Sequence, residues 1–355
     1  ASQWGLAAVA GVAGAVAAGT VPDVIKGWLG DQRLSLTVLC IAAALMFAGI
    51  NLWQQRSRGV GIVISLPPER WRGPWSGQWL TAAVDHAKRN HDSCFAVRRS
   101  IPSDEPAARA EALDLAYELV TARLVELSEV DPATPVSLYV NATLPDVFDL
   151  GARFKFNVQR ELRGVGPDPE GAGKRPAAGL VLPQPSERAF ADFFPSVRIS
   201  SRLKEPLTPA EARRAESLAR VVDEPEEFQA VEHGTAVAVV VHLSDNPLMI
   251  SQALSAAATG CLDSAGKHAR CRAALLIEGG PANIPETMAD FELVVRHVYA
   301  AWRAWVAARP QYADLDHRLF IAAPAGVAFA LGWLFGHTVT AVPHPYPTGE
   351  SCTSS

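Results

Sequence analysis

Residues 319–332 read LFIAAPAGVAFALG, and this stretch decides the fold. Its first three residues are apolar, which is typical of a short strand buried on both faces of a parallel sheet. Pro324 ends the apolar run, because proline cannot donate a hydrogen bond within a sheet. The residues from 326 to 335 then have helical character. A strand followed directly by a helix is the building unit of an α/β fold.

The same unit occurs 181 residues earlier as LYVNATLPDVFDLG, at residues 138–151. An offset that drifts by only four residues over the whole unit indicates a duplication. We therefore predict two tandem Rossmann-like halves, at about 59–163 and 232–350, related by a pseudo-two-fold axis. The matches are Phe148 with Phe329, Leu150-Gly151 with Leu331-Gly332 and Phe154 with Phe335 at offset 181, and Leu66 with Leu243 and Cys94 with Cys271 at offset 177.

Apolar periodicity and turn residues predict alternating strands and helices in both halves. Between the halves, residues 164–231 combine a Gly/Pro-rich linker with an insertion that we expect to pack beside the first half. That insertion should contain a helix at 208–222, capped by Thr208 and Pro209. The expected strands are 60–66, 94–97, 136–140, 235–243, 271–277 and 318–322, and the expected helices are 76–89, 104–129 (capped by Ser103, with acidic residues in its first turn), 146–154, 248–258, 286–308 and 326–335.

Two uncharged runs precede the α/β region, at residues 4–21 and 34–53. Each is close to the roughly 20 residues that a helix needs to cross a bilayer. We predict a transmembrane hairpin over residues 1–58, and a cleavable signal peptide at 4–19 is the less favoured interpretation because no basic segment precedes it. Arg56 and Arg58 follow the second run, so the positive-inside rule puts both termini in the cytoplasm. Alanines and glycines at four-residue spacing in the first run favour self-association.

Composition and motifs exclude several classes of function. The net charge of -5 gives no basic field for duplex nucleic acid. The five cysteines are scattered and form neither a disulfide framework nor a zinc-ligand pattern. Residues 171–175 (GAGKR) lack the spacing of a phosphate-binding loop, and His86, His91 and Cys94 lack the partner pair of a metal site. We therefore expect no enzyme activity, no cofactor and no metal.

The loops that follow the strands are the expected ligand site, because ligands of open α/β sheets bind beyond the carboxyl ends of the strands. Pseudo-symmetry would bring the loops of both halves into one cleft. Arginines there offer bidentate contacts to phosphates, tryptophans offer faces for stacking on bases, and asparagines offer donor–acceptor pairs for base edges. The candidate residues are Arg70, Trp71, Arg72, Trp75, Arg98, Arg99, Asn141, Ser244, Asn246 and Pro324.

The stretch at 319–332 resembles the closing motif of SAVED domains, which consists of a strand, a proline and a helix carrying Ala-Phe-x-Leu-Gly. SAVED domains are fusions of two CARF-like halves, in agreement with the duplication. With the two membrane helices, residues 1–350 resemble in architecture the transmembrane SAVED effectors of CBASS anti-phage defence, and the sensor domain would span 59–355. The first half departs from the motif, with Thr143 and Asp149 where the second half has Pro324 and Ala330.

The resemblance implies a receptor for a cyclic di- or trinucleotide that self-assembles when it binds its ligand. Clustering of its spans would then disrupt the bacterial inner membrane. Two other functions stay open at this point. One is a membrane-tethered nucleotide sensor that signals to a protein partner without permeabilising the bilayer, and the other is a ring nuclease on a CARF-like fold.

Overall fold

A computed structural model describes residues 59–69, 74–102, 105–130, 136–164, 201–244, 246, 248–263, 265–280, 288–344 and 346, together with Met46. The chain divides into two units, residues 1–58 and residues 59–355. Apart from Met46, the predicted transmembrane spans at 4–21 and 34–53 lie outside the described residues, as does residue range 165–200 of the linker. Among the residues described, no helix is both long enough and apolar enough to cross a membrane.

The first half alternates three strands with three helices, as the apolar runs predict. Its sheet has the order β2-β1-β3 and all its strands are parallel. β1 lies in the centre, and all seven of its residues are buried. The elements are β1 (Val60–Leu66), α1 (Pro74–Asn90), β2 (Ser93–Arg98), α2 (Pro106–Val130), β3 (Val136–Ala142) and α3 (Leu144–Gly164).

The second half repeats this order and adds strands at both edges. Its sheet has the order β10-β9-β5-β8-β4, in which β4 alone is antiparallel to its neighbour. β5, the first strand of the repeated unit, is again central. The elements are α4 (Pro209–Leu218), β4 (Ala219–Asp223), β5 (Ala236–His242), α5 (Met249–Thr259), β6 (Cys261–Leu262), β7 (His268–Ala269), β8 (Cys271–Gly279), α6 (Met288–Ala308), β9 (Asp316–Ala322), α7 (Ala325–Phe335) and β10 (Val339–Ala341). The protein is thus a mixed α/β fold with parallel sheets, compatible with Rossmann-like halves.

The strand registers show which residues of the two halves are equivalent. Ser65 on β1 pairs with Arg98 and Asn141, and His242 on β5 pairs with Glu278 and Ala322. The first and third strands therefore keep the predicted offsets of 177 and 181.

The predicted match of Cys94 with Cys271 is wrong. Cys94 pairs with Gly61, and Ala238, which lies 177 residues after Gly61, pairs with Ala274, so Ala274 rather than Cys271 is equivalent to Cys94. The β5–β8 register also shifts by one residue between Ala236 and Ala238, which sequence identity at one position does not reveal.

The two halves meet through α3 and α7, which contact each other reciprocally. A Cβ added to Gly151 would lie 2.1 Å from the carbonyl oxygen of Phe329, and one added to Gly332 would lie 2.0 Å from that of Phe148. The ring contacts are reciprocal too, with centroid distances of 6.1 Å for Phe148–Phe335 and 5.7 Å for Phe154–Phe329. Only glycine lets two helix backbones approach this closely. Both glycines and all four phenylalanines belong to the predicted repeat.

The shared core lies between the inner faces of the two sheets. Ile62 and Ile64 of β1 and Val239 and Val241 of β5 belong to one buried apolar cluster with α3 and α7. On the outer face of the first sheet, Val63 packs with α1 in a separate cluster. α5 covers the outer face of the second sheet in the same way. Each sheet is therefore buried on both sides, as continuous apolar strands require.

The insertion differs from its prediction in two respects. The helix predicted at 208–222 ends at Leu218, and Ala219–Asp223 forms β4, which pairs with β8. α4 packs on α6, so residues 201–223 lie beside the second half and not the first. Arg296 of α6 holds this segment, with its Nη1 3.0 Å from Glu211 Oε1. Tertiary pairing with β8 thus overrides the helical pattern after Leu218. The Thr208 cap is confirmed, and it forms a capping box with Glu211.

Two helix boundaries also differ from the prediction. α2 begins at Pro106, because proline suits the first helical position. Its first turn therefore contains no acidic residue. The predicted cap, Ser103, lies outside the described residues. α3 extends to Gly164, ten residues beyond its predicted end at Phe154. Val158 and Leu162 continue the four-residue apolar spacing from Phe154, and residues 155–163 contain no glycine or proline, so the helix continues.

Candidate functional site

Arg98, Ser65 and Asn141 form a row across the carboxyl edge of the first sheet. Arg98 and Asn141 flank Ser65 in register, on β2 and β3. Neighbouring residues in register project to the same face of a sheet, and residues two apart along a strand share a face. Val63 precedes Ser65 by two residues and packs with Ala83 of α1, so the row is on the face that α1 covers. Arg98 is exposed, Asn141 is half-buried and Ser65 is 0% exposed.

Among the residues that the structure describes, the Ser65 hydroxyl has no hydrogen-bond partner. A buried hydroxyl without a partner costs about 1–3 kcal/mol, so native proteins rarely keep one without a function. It lies between a free cationic side chain and an amide, at the edge where parallel sheets bind ligands. Sequence reasoning missed Ser65, although a serine near the end of the apolar run at 60–66 was the available signal.

Backbone hydrogen bonds hold the segments after β1 and β2 together beyond the strands. Arg99 N donates to Ser65 O over 3.0 Å, and Ile101 N donates to Pro67 O over 2.9 Å. Because successive residues alternate between faces, Arg99 projects away from the face that carries Arg98. The structure therefore brings Arg98 and Asn141 together with Ser65, and it separates Arg99 from them.

The equivalent row of the second half consists of Arg220, Glu278, His242 and Ala322. Arg220 Nε donates to Glu278 Oε1 over 2.9 Å, so the two charges of this row compensate each other. His242 Nε2 lies 2.8 Å from the carbonyl oxygen of Asn246, which engages the imidazole with the loop that follows β5.

The predicted residues of the second half lie in the loops beyond this row. Ser244 is half-buried, and Asn246 is exposed. Asn246 Oδ1 accepts a hydrogen bond from Leu248 N over 3.2 Å, so its side chain forms a turn. Pro324 is the N-cap residue of α7 and makes no side-chain cap.

The first half departs from the 319–332 motif for a reason that the structure makes visible. Asp146 and Asp149 of α3 both bind Arg109 of α2, at 2.5 Å and 2.8 Å. Thr143 donates its hydroxyl proton to Asp146. Burial raises the pKa of Asp149, and Arg109 only partly offsets this shift. For Arg109, burial alone would lower the pKa, but the two carboxylates raise it. These residues anchor α3 to α2, whereas α7 is buried along its length.

The side chains of four predicted site residues lie outside the described part of the structure. Arg70, Trp71 and Arg72 lie outside the described residues. Trp75 lies in the first turn of α1, and only its backbone is described. The cleft shared by the loops of both halves therefore stays a prediction.

Across the part of the chain that the structure describes, no three histidine, cysteine or acidic side chains are grouped to hold a metal ion. His91 Nε2 lies 2.8 Å from the hydroxyl of Tyr139, a contact within the cluster under α1. No protein-family model matches this chain, and no curated protein is significantly similar to it.

Proposed function

We propose that this protein is a membrane-anchored receptor for a cyclic oligonucleotide, and that ligand binding drives its oligomerisation and disruption of the inner membrane in antiviral defence. The observation that carries the proposal is the Ser65 hydroxyl, which is buried between Arg98 and Asn141 and has no hydrogen-bond partner in the described part of the chain. A free hydroxyl beside a cation at the carboxyl edge of a parallel sheet is suited to a phosphate-containing ligand.

The SAVED-like stretch supports the choice of a cyclic oligonucleotide. Its residues form β9, the N-cap Pro324 and α7, which is the strand–proline–helix order of the motif. The reciprocal contacts of Gly151 with Phe329 and of Gly332 with Phe148 support a fusion of two like halves. A receptor of this architecture would suit a ligand that is itself built from repeated nucleotides.

The uncharged runs at 4–21 and 34–53 supply the proposed output. Small residues at four-residue spacing let helices pack closely in lipid, so ligand-driven assembly of the second unit would concentrate these segments. Oligomerisation is thus proposed to be the step that converts binding into membrane damage.

Dye leakage from liposomes tests this function on the full chain. The protein is reconstituted into dye-loaded vesicles and titrated with cyclic di- and trinucleotides, with linear dinucleotides as the matched control. We expect one cyclic ligand to cause leakage that rises steeply with protein density. Binding without leakage would replace the effector by a membrane-tethered sensor, ligand turnover would indicate a ring nuclease, and the absence of any binding would overturn the proposal.

A further inference from the structure

We propose that each chain holds a single phosphate-sized anion, bound by Arg98, Ser65 and Asn141, and that the equivalent row of the second half takes none. The inference rests on the proposed function only for the identity of the molecule that carries the anion. Duplication of the fold would by itself give two equivalent sites, so the argument depends on how the two rows have diverged.

Charge is the first difference between the rows. Arg98 makes no ion pair with any residue that the structure describes, and its side chain is exposed. The second half carries Glu278 at the equivalent register position, where Arg220 already contacts it. A free guanidinium attracts a phosphate and can bind it with two hydrogen bonds, whereas a carboxylate repels it. The first row is therefore an anion site, and the second is not.

Hydrogen-bond donors are the second difference. Ser65 offers a buried hydroxyl proton that no acceptor among the described residues engages, whereas its equivalent, His242, is engaged with Asn246 O. Asn141 offers amide protons, and its equivalent is Ala322. Phosphate oxygens accept hydrogen bonds only, so three kinds of donor on one face of a sheet suit a phosphate group. An anion would also provide the partner that the Ser65 hydroxyl lacks.

The divergence predicts a ligand that is contacted unequally by the two halves. The first half would take a phosphate of the ligand. The row of the second half, with the Glu278 carboxylate and the exposed amide of Asn246 nearby, would suit neutral groups that donate hydrogen bonds, such as the amino or hydroxyl groups of a nucleoside.

Equilibrium dialysis with radiolabelled inorganic pyrophosphate tests the site on the full chain in zwitterionic nanodiscs. We expect one saturable site per chain. Arg98→Gln should weaken binding by about 10-fold or more, because a charge-assisted contact is lost. Arg220→Gln is the matched control at the other sheet and should leave the affinity for pyrophosphate unchanged. Two sites per chain, or an equal loss in both arginine variants, would overturn the inference.

Ser65→Ala separates a ligand contact from a structural role. The hydroxyl makes no hydrogen bond with the residues that the structure describes, so its removal should leave the thermal midpoint unchanged or slightly higher while weakening pyrophosphate binding several-fold. A variant that loses stability but keeps its affinity would contradict the assignment of Ser65.

Two further arms distinguish this inference from the proposed function and identify the source of the phosphate. If a cyclic oligonucleotide displaces pyrophosphate from the wild-type protein, both the anion site and the receptor function are supported. If pyrophosphate binds but no oligonucleotide does, the anion site is supported and the receptor function is rejected. If an oligonucleotide binds with an affinity that Arg98→Gln and Ser65→Ala do not change, the receptor function is supported and the anion site is rejected. Nanodiscs of phosphatidylglycerol that abolish pyrophosphate binding would assign the site to a lipid headgroup and so overturn the proposal of a nucleotide phosphate.

Discussion

The close approach of α3 and α7 at Gly151 and Gly332 allows the stability of the fold to be tested quantitatively. In Gly151→Ala the new Cβ would lie 2.1 Å from Phe329 O, whereas ordinary contacts begin at 3.4 Å. The neighbouring atom is backbone and cannot rotate away, so α3 and α7 must separate by about 1.3 Å. A gap of about 1 Å forfeits up to half of the dispersion energy of each contact it opens.

The expected loss of stability follows from two opposing terms. Overpacking in a well-packed core costs about 1–3 kcal/mol and more where backbone is involved. Alanine in place of a helical glycine recovers about 1 kcal/mol of helix propensity. We expect a net loss near 2 kcal/mol, which lowers the Tm by about 3 °C for a unit of about 300 residues. Thermal unfolding of the full chain in detergent, followed by tryptophan fluorescence, measures this change.

Matched variants control for the effect of an added methyl group. Gly280→Ala meets its nearest atom at 4.0 Å and should change the Tm by no more than about 1 °C. Gly332→Ala should cost as much as Gly151→Ala, and the double variant should cost less than the sum, because either methyl group opens the same gap. A Gly151→Ala protein that unfolds within 1 °C of the wild type would refute the close packing of α3 on α7.

Three further predictions concern buried ionisable groups. Arg109→Gln should lower the free energy of unfolding by about 3 kcal/mol at pH 7.5, since two carboxylates lose their cation. Burial already raises the pKa of Asp149, so this carboxylate should take up a proton as the pH is lowered towards 5. The loss of stability measured by urea unfolding should then become smaller. Burial lowers the pKa of His317 from 6.5, so the unfolded chain binds the proton more readily than the folded protein. The free energy of unfolding should therefore decrease as the pH is lowered below about 6.5, and His317→Asn should flatten this dependence. Burial raises the pKa of Cys261 to about 11, so maleimide should label it far more slowly than the half-exposed Cys94 at pH 8, and mass spectrometry that finds equal rates would contradict its burial.

Local signals were sufficient to predict most of the elements of the described residues. All six strands expected in the two halves exist, because each is an apolar run bounded by proline, glycine or polar residues. β4 was missed because Arg220 and its neighbours read as the end of a helix, and only pairing with β8 makes them a strand. The same pairing explains why the insertion lies beside the second half.

The candidate site was predicted in part for a related reason. Arg98 and Asn141 could be proposed because residues at the ends of parallel strands meet at one sheet edge. Ser65 could not be proposed from the sequence, because whether a buried hydroxyl has a hydrogen-bond partner depends on which atoms the tertiary structure places around it. Arg98 and Arg99 project to opposite faces of the sheet because successive residues of a strand alternate between faces. Their adjacent positions in the sequence had suggested a shared site.

By itself, the sequence determined that the chain contains a duplicated α/β unit and two uncharged runs of membrane-spanning length, since both are patterns of residue type along the chain. Tertiary structure alone decided which residues are equivalent and which share a face. The register of β8 excludes Cys271 as the partner of Cys94, and the same registers set Arg98 opposite Glu278 in the comparison of the halves. Register depends on hydrogen bonds between strands that are distant in sequence, and a shift of one residue reverses the face of every side chain.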